Sequence, residues 1–542
     1  MKYIFLLFSF CFYSSYAFGQ NTIGVINNST DAYDGYTLYT PASYTSTYLI
    51  DNCGRVINEW DSDFVPGLVA YLLPGGKLLR TGKEIETNNF SAAGKGGIIQ
   101  IFDWDGNIEW QATVSDDQFG AHHDIEYLPN GNLLILRWEL KSDSELIQAG
   151  KDTNFTPPEL WIPSIVEIQP LGLEEFDIVW EWHLFDHLVQ DVDPSKDNFG
   201  VVADSPRKVD LNYRNITERD WAHLNCIDFN PTRNEILLSS RNFDEVWIID
   251  HSTTSQEAAS DQGGNSNLGG QLLYRFGNLF AYQDVTEESF LDGQHDAEFK
   301  RSPNDSIPCI QLYNNHNESP RLSAFVEFTP KIDENGAYEL INNQFDTTGA
   351  AIVFESSGDR DFQSSIMSNV QTLPNGNLLI NGGRNSNFVE FDSLGNEVWR
   401  YRGPVSIFGP NEQGSNITGS TFRIEKFNVA DPMFDTLDTS IKAEAIEINP
   451  TLTNCGLTST TSPTKLDATI FPNPFDTQIV IETPELDKVD VELYNALGSV
   501  VLKEKLTSRG ELDTRNLHPG VYFFKLKRDN AETTVKLIKL NR

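Results

Sequence analysis

Cysteines, basic residues and long apolar runs are all scarce in this sequence. It has five cysteines and no Cys-x-x-Cys pair, so a structural zinc site is not expected. Lysine and arginine number 40 against 78 aspartates and glutamates, which gives a formal net charge of −38. Such a surface excludes nucleic acids and anionic membranes as expected partners. After residue 20, no stretch approaches the ~20 apolar residues that span a bilayer, so no membrane span is expected.

The first 19 residues have the pattern of a secretory signal peptide. One lysine precedes a short, aromatic-rich apolar run, and small and polar residues follow it. We therefore expect residues 1–19 to be a signal peptide and the mature protein to be exported and soluble. Four cysteines remain in the mature chain: Cys53, Cys226, Cys309 and Cys455. An oxidising compartment permits disulfides, and the sequence leaves all three possible pairings open.

One strand–turn–strand unit recurs six times along the chain. Each copy has an apolar strand, a turn rich in Asp, Asn and Gly, and a strand with an aromatic residue, as in IIQIFDWDGNIEW at 98–110. A partner hairpin precedes most copies, as in DIEYLPNGNLLIL at 124–136. Four strands per unit, repeated six times, predict an all-β, six-bladed β-propeller over residues 20–450. A large β-sandwich is the alternative, but it would lack this paired-turn period.

Two other segments interrupt or follow the repeat. The long insertion between Gly172 and Trp221 is expected to cover one face of the propeller and to contain a short helix. Residues 451–466 are rich in Thr, Ser and Pro and are predicted to be a linker. Residues 467–542 form a second all-β domain with nearly balanced charge, since they hold 11 Lys and Arg against 12 Asp and Glu.

This second domain contains the motifs FPNPF, LYNALG and LHPGVYFFKL. In these motifs and their order it resembles the C-terminal sorting domain of the type IX secretion system of Bacteroidetes. The resemblance implies a small β-sandwich that is recognised by the type IX machinery. It also implies that the protein is secreted or held at the cell surface, and that the domain takes no part in catalysis.

Three histidines occupy equivalent positions in the repeat, just before the first strand of a unit. His123 precedes DIEYLP, His295 precedes DAEF, and His223 lies slightly upstream of CIDFNP. The innermost strands of a propeller surround its central channel, so we expect these residues to converge at one end of it. A single histidine would be interpreted as structural, but three in register favour a catalytic site. Arg241 ends the strand EILLSSR and could join them; the alternative is a solvated surface arginine.

The motifs DWAHLN, SSRNFDEVWIID and GQHDAEF, in this order, resemble the bacterial arylsulfate sulfotransferase family. The resemblance extends over most of residues 30–430. It implies transfer of a sulfuryl group from an aryl sulfate donor to a phenol acceptor, without a nucleotide donor or cofactor, through a sulfated histidine. His295 falls on the nucleophile, and His123, His223 and Arg241 fall on its catalytic partners. Asn225, His122 and Asp296 are expected to contact the substrate.

The predicted residues suit this chemistry. A neutral imidazole is a competent nucleophile near pH 7, and its N-sulfo adduct divides one displacement into two easier ones. The planar fork of Arg241 can bind sulfuryl oxygens, and a second histidine can protonate the departing phenolate. Asp296 could instead fix the tautomer of a histidine.

Several other interpretations of the sequence remain open. His183 and His187 are four residues apart, as metal ligands on a helix can be, but they lack the HExxH pattern. The segment DWDGN at 103–107 has the start of a calcium loop without its distal Glu, and is better explained as a hairpin turn. At the level of function, the alternatives are a quinoprotein dehydrogenase and a non-catalytic surface propeller that binds glycan or protein.

Overall fold

The computed structural model describes residues within 21–540, and some segments of the chain are not described. Besides residues 1–20 and 541–542, these segments are residues 86–88, 153, 155–156, 215–217, 283–288, 301–308, 316–321, 347–348, 358–360, 416–418, 451–463, 466–468, 483–488, 496–499, 507–508 and 529–530. The predicted signal peptide and most of the predicted linker therefore lie outside the described residues. The chain divides into two compact units, Met1–Cys455 and Gly456–Arg542.

The first unit is built almost entirely of strands. The strands up to the middle of the unit are β1 Gly24–Asn28, β2 Gly35–Tyr39, β3 Thr47–Ile50, β4 Val56–Trp60, β5 Pro66–Leu73, β6 Lys77–Lys83, β7 Gly97–Phe102, β8 Ile108–Thr113, β9 Phe119–Tyr127, β10 Leu133–Ser142, β11 Glu159–Leu171, β12 Glu175–His183, β13 Leu188–Val189, β14 Val209–Asp210, β15 Leu224–Asn230, β16 Glu235–Ser240, β17 Glu245–Asp250 and β18 Tyr274–Phe276. The remaining strands are β19 His295–Phe299, β20 Ile310–Asn314, β21 Ala324–Phe328, β22 Leu340–Ile341, β23 Gln344–Phe345, β24 Ala351–Glu355, β25 Asn369–Thr372, β26 Leu378–Gly382, β27 Asn387–Phe391, β28 Glu397–Arg402, β29 Val405–Ser406, β30 Gly409–Pro410 and β31 Ile424–Asn428.

Helices are few and short in the described residues. The α-helices are α1 Asp143–Ala149 and α2 Ser255–Ala258, and the 3₁₀ helices are Leu184–His187, Val202–Asp204, Arg241–Phe243, Leu279–Ala281, Gly383–Asn385 and Pro432–Phe434. Within the part of the chain that is described, no helix is long and apolar enough to cross a membrane.

The strands of the first unit form six larger antiparallel sheets among the described residues. Their strand orders are β31-β2-β3-β4, β5-β6-β7-β8, β9-β10-β11-β12, β15-β16-β17-β18, β19-β20-β21-β24 and β25-β26-β27-β28-β1. This succession of antiparallel sheets of four or five strands is a β-propeller, as the repeat predicts. The sheets are equal in number to the hairpin units in the sequence, and one blade for each sheet stays a prediction.

The turn residues of the repeat explain its hairpins. Asp103 accepts hydrogen bonds from the backbone N–H and the side-chain amide of Asn107, both at 2.8 Å. Asp392 and Asn396 repeat the same two bonds at 2.8 Å in another sheet. The glycine in each turn, Gly106 or Gly395, has a φ of 87° or 81°, respectively, a conformation that favours glycine. The segment 103–107 is therefore the hairpin turn between β7 and β8, as predicted.

Side chains connect the first strands of successive sheets. Asp124 on β9 accepts from the N–H of Ile227 on β15 at 3.2 Å, and Asp228 on β15 accepts from Phe299 on β19 at 2.6 Å. Asp296 on β19 accepts from Val370 on β25 at 3.0 Å. The inner strands of neighbouring sheets are thus held together by buried carboxylates, which supply acceptors that water would otherwise provide.

Both ends of the first unit take part in its sheets. Strand β31, near the end of the unit, pairs with β2, and β1 at its start pairs with β28. One sheet therefore combines the last strand of the unit with three early ones. This arrangement closes the propeller with hydrogen bonds between distant parts of the chain.

The insertion after Gly172 contributes to the core of the first unit. It contains the 3₁₀ helix Leu184–His187 and the short parallel pair β13–β14. Leu184, Leu188 and Leu211 are buried in the same cluster as Trp221 and Trp247. The predicted short helix is present, and the segment packs through a substantial apolar face.

The second unit is the small β-sandwich that the sequence predicts. Its strands are β32 Thr464–Lys465, β33 Thr469–Phe471, β34 Gln478–Glu482, β35 Val489–Asn495, β36 Val500–Leu506, β37 Arg509–Asp513, β38 Gly520–Arg528 and β39 Ala531–Lys539. They form two sheets, β32-β39-β38-β35-β36 and β33-β34-β37. Ile479 and Leu512 from one sheet share a buried core with Val491, Leu493 and Phe524 from the other.

Candidate active site

Bulges at the start of the inner strands position the predicted site residues. The ladder between an inner strand and its neighbour shifts register at residues 122–124, at residue 225 and at residues 296–297. His123, His223 and Asp296 have φ values of 51°, 48° and 58°, which non-glycine residues seldom adopt. Bulges of this kind re-aim side chains and are common beside active sites. The same local irregularity therefore recurs in three sheets where the sequence places its histidines.

His295 is held in one tautomer by its neighbours. Its Nδ1 lies 2.8 Å from Oδ1 of Asn315 and 3.0 Å from the carbonyl oxygen of Gly293. The amide nitrogen of Asn315 donates to the carbonyl oxygens of Ser364 and Met367, which fixes Oδ1 toward the histidine. Because both Nδ1 partners are acceptors, Nδ1 carries the proton and Nε2 carries the lone pair.

The Nε2 atom of His295 accepts a hydrogen bond from the backbone N–H of Met367 at 3.2 Å. Burial and the charge of Arg241 together lower the pKa of His295 to about 3, against the hydrogen bond to Asn315, which acts to raise it. His295 is therefore a neutral imidazole with a defined basic nitrogen at ordinary pH. This is the state in which an imidazole acts as a nucleophile.

His223 has a carboxylate partner. Its Nδ1 lies 2.6 Å from Oδ2 of Asp220, and the other oxygen of Asp220 accepts from Trp138 Nε1 at 2.9 Å. Burial acts to raise the pKa of Asp220, but the contact with His223 outweighs it and the pKa is lowered. Asp220 is thus an ionised acceptor that leaves Nε2 of His223 as the nitrogen available for proton exchange.

His122 and His123 complete what we call the histidine cluster: His122, His123, His223 and His295. The ring centroids of His123 and His223 are 4.6 Å apart, and His122 stacks on Trp138 at 4.2 Å. The Nδ1 atoms of His122 and His123 are 2.9 Å apart. Burial lowers the pKa of His122 to about 3 and the pKa of His123 well below its ordinary value.

Arg241 lies beside the cluster. It begins the 3₁₀ helix Arg241–Phe243 directly after β16, and its N–H donates to the carbonyl oxygen of His223 at 3.1 Å. Its Nη1 donates to Asn242 Oδ1 at 3.2 Å. Its charge contributes to the lowered pKa of both His123 and His295. The structure therefore brings together all four residues predicted to be catalytic.

Two of the residues predicted to bind substrate, Asn225 and Asp296, have partners within the protein, and their contact with substrate stays a prediction. Asn225 is fully buried and donates to the carbonyl oxygen of Gln294 at 2.7 Å, which links the strands of His223 and His295. Asp296 contacts Val370 and lies 2.8 Å from Nε of Arg423. Asn315, rather than Asp296, is the side chain that fixes the tautomer of His295.

Sequence reasoning did not single out Asp220, Asn315, Met367, Phe422 or Arg423. Asp220 could have been found, because it lies three residues before His223 in the motif DWAHLN. Asn315 and Met367 lie in loops between strands, where the sequence has no periodic pattern that would identify them. Phe422 packs against the rings of His123 and His295, with centroid distances of 6.1 and 6.0 Å.

His183 and His187 do not share partners. Nδ1 of His183 lies 3.0 Å from Oε2 of Glu139, whereas Nε2 of His187 donates to the carbonyl oxygen of Ala258 at 2.7 Å. His187 also stacks on Trp182. Both side chains are explained by these separate contacts.

A cavity of about 530 Å³ lies along the inner strands and is distinct from the histidine cluster. Asp228, Glu298 and Arg423 are among its lining residues. Burial and the nearby charge of Asp296 raise the pKa of Glu298 well above its ordinary value. None of the four histidines of the cluster lines this cavity.

Fold and site together define a β-propeller with a buried, histidine-rich polar centre next to an arginine. Comparison with known families is specific: residues 21–401 match the arylsulfotransferase (ASST) family, and residues 469–540 match the secretion system C-terminal sorting domain. The chain belongs to the arylsulfotransferase family. Its sorting domain indicates export and a cell-surface or secreted location.

Other comparisons are more distant. No curated protein matches the chain. Among solved structures, a protein of unknown function from Bacteroides caccae is 13% identical, with 73% of this chain and 99% of that chain covered and a TM-score of 0.39. The periplasmic gluconolactonase PpgL of Pseudomonas aeruginosa is 11% identical, with 72% and 98% covered and a TM-score of 0.36. Virginiamycin B lyase from Staphylococcus aureus is 10% identical, with 70% and 88% covered and a TM-score of 0.30.

Proposed function

We propose that this protein transfers a sulfuryl group from a phenolic sulfate ester to a phenol through an N-sulfohistidine at His295, without a nucleotide donor. The family supports sulfuryl transfer. The observation that carries the finer proposal is the tautomer of His295, because Asn315 and Gly293 hold the proton on Nδ1 and leave the Nε2 lone pair for attack.

In the first step, Nε2 of His295 attacks sulfur and a new N–S bond forms while the S–O bond to the donor phenol breaks. The backbone N–H of Met367 then ceases to donate to Nε2 and donates instead to a sulfuryl oxygen, where this hydrogen bond stabilises the developing negative charge. The phenolate takes a proton from Nε2 of His223, whose Nδ1 is held by Asp220. General acid catalysis of this kind contributes roughly 10²–10⁴-fold to a rate.

In the second step, an acceptor phenol gives its proton to the now neutral His223 and its oxygen attacks sulfur. The N–S bond breaks, and His295 returns to its neutral state with the pair of electrons on Nε2. Arg241 binds the equatorial sulfuryl oxygens in both steps, because a planar guanidinium offers two parallel donors. Charge is spread over these oxygens during transfer, so their stabilisation governs the rate.

The decisive experiment is incubation with an aryl sulfate in the absence of acceptor. We expect one sulfuryl group on the peptide that contains His295, detected by mass spectrometry at neutral pH because an N–S bond is labile to acid. His295→Ala should abolish both label and turnover. His518→Ala, an exposed histidine of the second unit, is the matched control and should leave both unchanged.

Two outcomes would contradict the proposal. A label on His123 or His223 would keep sulfuryl transfer but change the nucleophile. Absence of any label and any turnover, with folding intact, would favour a non-catalytic propeller that binds glycan or protein.

A further inference from the structure

Arg423 connects two of the inner strands through buried ion pairs. It immediately precedes β31, and its Nη2 lies 3.0 Å from Oδ2 of Asp124 while its Nε lies 2.8 Å from Oδ1 of Asp296. The three side chains are 8%, 0% and 1% exposed, respectively. One guanidinium therefore holds two carboxylates from different sheets inside the protein.

Each of these carboxylates follows directly after a histidine of the cluster. The pairs are His123–Asp124 on β9 and His295–Asp296 on β19. Each aspartate also has a backbone partner on a neighbouring strand, because Oδ2 of Asp124 accepts from the N–H of Ile227 and Oδ2 of Asp296 accepts from the N–H of Val370. A displacement of either aspartate would therefore displace the backbone of the adjacent histidine.

The residue before Arg423 contacts the rings of the same two histidines. The ring centroid of Phe422 lies 6.1 Å from that of His123 and 6.0 Å from that of His295. The dipeptide Phe422–Arg423 thus contacts both rings with one side chain and both neighbouring carboxylates with the other. The fork of an arginine can bind two carboxylates at once, whereas a lysine presents one compact charge.

We propose that Arg423 is a positioning residue that sets the separation of His123 and His295 during sulfuryl transfer. The proposal rests on the proposed function, because it requires that these histidines act together. Arg423 does not need to touch the substrate, since Asp124 and Asp296 occupy its guanidinium. It acts by holding the two histidine-bearing bulges at a constant distance.

A purely structural role makes a different prediction. Loss of one partner of a buried ion pair destabilises a protein strongly, because it leaves an uncompensated charge. Every Arg423 variant is therefore expected to lower the melting temperature. The informative quantity is the rate per folded chain, which a structural role alone would leave unchanged.

Arg423→Lys and Arg423→Gln test the proposal. We expect kcat per folded chain to fall about 10–100-fold, the cost of misplacing reacting groups by a fraction of an ångström to an ångström. The KM for an aryl sulfate such as 4-nitrophenyl sulfate should change by less than about threefold, because uniform substrate binding is retained. Labelling of His295 without acceptor should be slowed to the same degree, yet still reach one group per chain.

Lys426→Met is the matched control. Lys426 lies on β31, close to Arg423 in sequence, and forms a buried ion pair with Glu390 in which both side chains are fully buried. Its removal should lower the melting temperature but leave kcat per folded chain at the wild-type value. The comparison separates the loss of a buried charge pair from the loss of the connection between the two histidines.

The double variant Arg423→Gln, Asp296→Asn adds an independent readout. If Arg423 acts through Asp296, the two changes are not additive, and the double variant should be no slower than Arg423→Gln alone. Should the Arg423 variants fail to fold, Asp296→Asn removes one end of the bridge and should show the same selective loss of kcat.

The proposal is overturned if Arg423→Lys, or Asp296→Asn where that variant is needed, turns over at the wild-type rate per folded chain. Equal losses in Lys426→Met would overturn it as well. Failure of the proposed function looks different, because the wild-type protein itself would then form no sulfohistidine.

Discussion

The imidazole rings of His123 and His223 lie edge to face with their centroids 4.6 Å apart, but their surroundings differ. His223 has the carboxylate of Asp220 at 2.6 Å from its Nδ1, whereas the Nδ1 of His123 contacts the ring of His122. The charge of His223 is also one of the causes that lower the pKa of His123. The two rings therefore differ in their hydrogen-bond partners, and the carboxylate of Asp220 makes His223 the residue that we propose as the acid.

This asymmetry predicts the effect of the leaving group. His223→Gln and Asp220→Asn should slow transfer from donors whose phenol has a high pKa by roughly 10²–10⁴-fold, and slow activated donors much less. The dependence of kcat/KM on the pKa of the leaving phenol should become steeper. A slope that steepens in His123→Gln and not in His223→Gln would assign the acid to His123.

Asn315 offers a test of the tautomer. Asn315→Ala removes the acceptor at 2.8 Å from His295 Nδ1, so the ring can rotate or place its proton on Nε2. We expect labelling of His295 to slow by about 10–100-fold, as for other losses of orientation at a reacting group. Asn377→Ala removes a buried amide that bonds Glu390 and should leave the labelling rate unchanged. Wild-type labelling in Asn315→Ala would exclude the role given to Asn315.

The lowered pKa values predict how stability depends on pH. His122 and His295 each have a pKa of about 3 in the folded chain, against about 6.5 when exposed. The unfolded chain therefore binds more protons between these values, and stability is lost as pH falls from about 6.5 toward 3.

His122→Gln should make this decline shallower. One such group contributes at most about 1.4 kcal/mol per pH unit to the slope of the unfolding free energy. Urea denaturation of the wild-type and variant proteins at pH 7, 6, 5 and 4 measures the difference. His518→Gln, at an exposed turn, should leave the slope unchanged, and an unchanged slope in His122→Gln would contradict the assigned pKa.

The rate of sulfuryl transfer should fall even when Arg241 is replaced by a residue of the same charge. Arg241→Lys keeps the cation but loses the planar pair of donors, so we expect kcat to fall by more than KM rises. Steady-state kinetics with an aryl sulfate and a phenol measure both. A rise in KM alone would show that Arg241 binds substrate and transition state equally.

The sorting domain should be dispensable for catalysis. A chain that ends at Thr460 retains every described residue of the first unit, including the histidine cluster and β31. We expect it to fold and to transfer sulfuryl groups at the wild-type rate in vitro. A folded but inactive truncated protein would show that the second unit has a catalytic role.

The sequence was most informative where physical patterns repeat. Hairpin turns such as Asp103–Asn107 are marked by local hydrogen-bonding residues, so strand pairs and the propeller class could be predicted. His123, His223 and His295 were found because equivalent residues of a repeat meet around one axis. Asn315 and Met367 could not be found this way, since their contacts with His295 depend on the paths of loops between strands.

The role of Asp296 shows a second limit. Its position next to His295 suggested a contact with that ring or with substrate, but a bulge with φ of 58° turns the carboxylate toward Val370 and Arg423. Backbone conformation at single residues decides such contacts, and residue type alone does not specify it. Arg423 itself follows a segment of the chain that has no repeat pattern, which is why it was missed.

The pairing of β31 with β2 determines the order in which the protein can be completed during its synthesis and export. Strand β2 emerges early, but its inner neighbour Ile424–Asn428 is among the last segments of the first unit to be made. Contacts so distant in sequence form late, because a long loop must close first. The sorting domain at residues 469–540 is synthesised later still. A polypeptide that ends before Ile424 therefore lacks both the strand that pairs with β2 and the sorting domain, so every chain that carries the sorting domain also contains the closing strand.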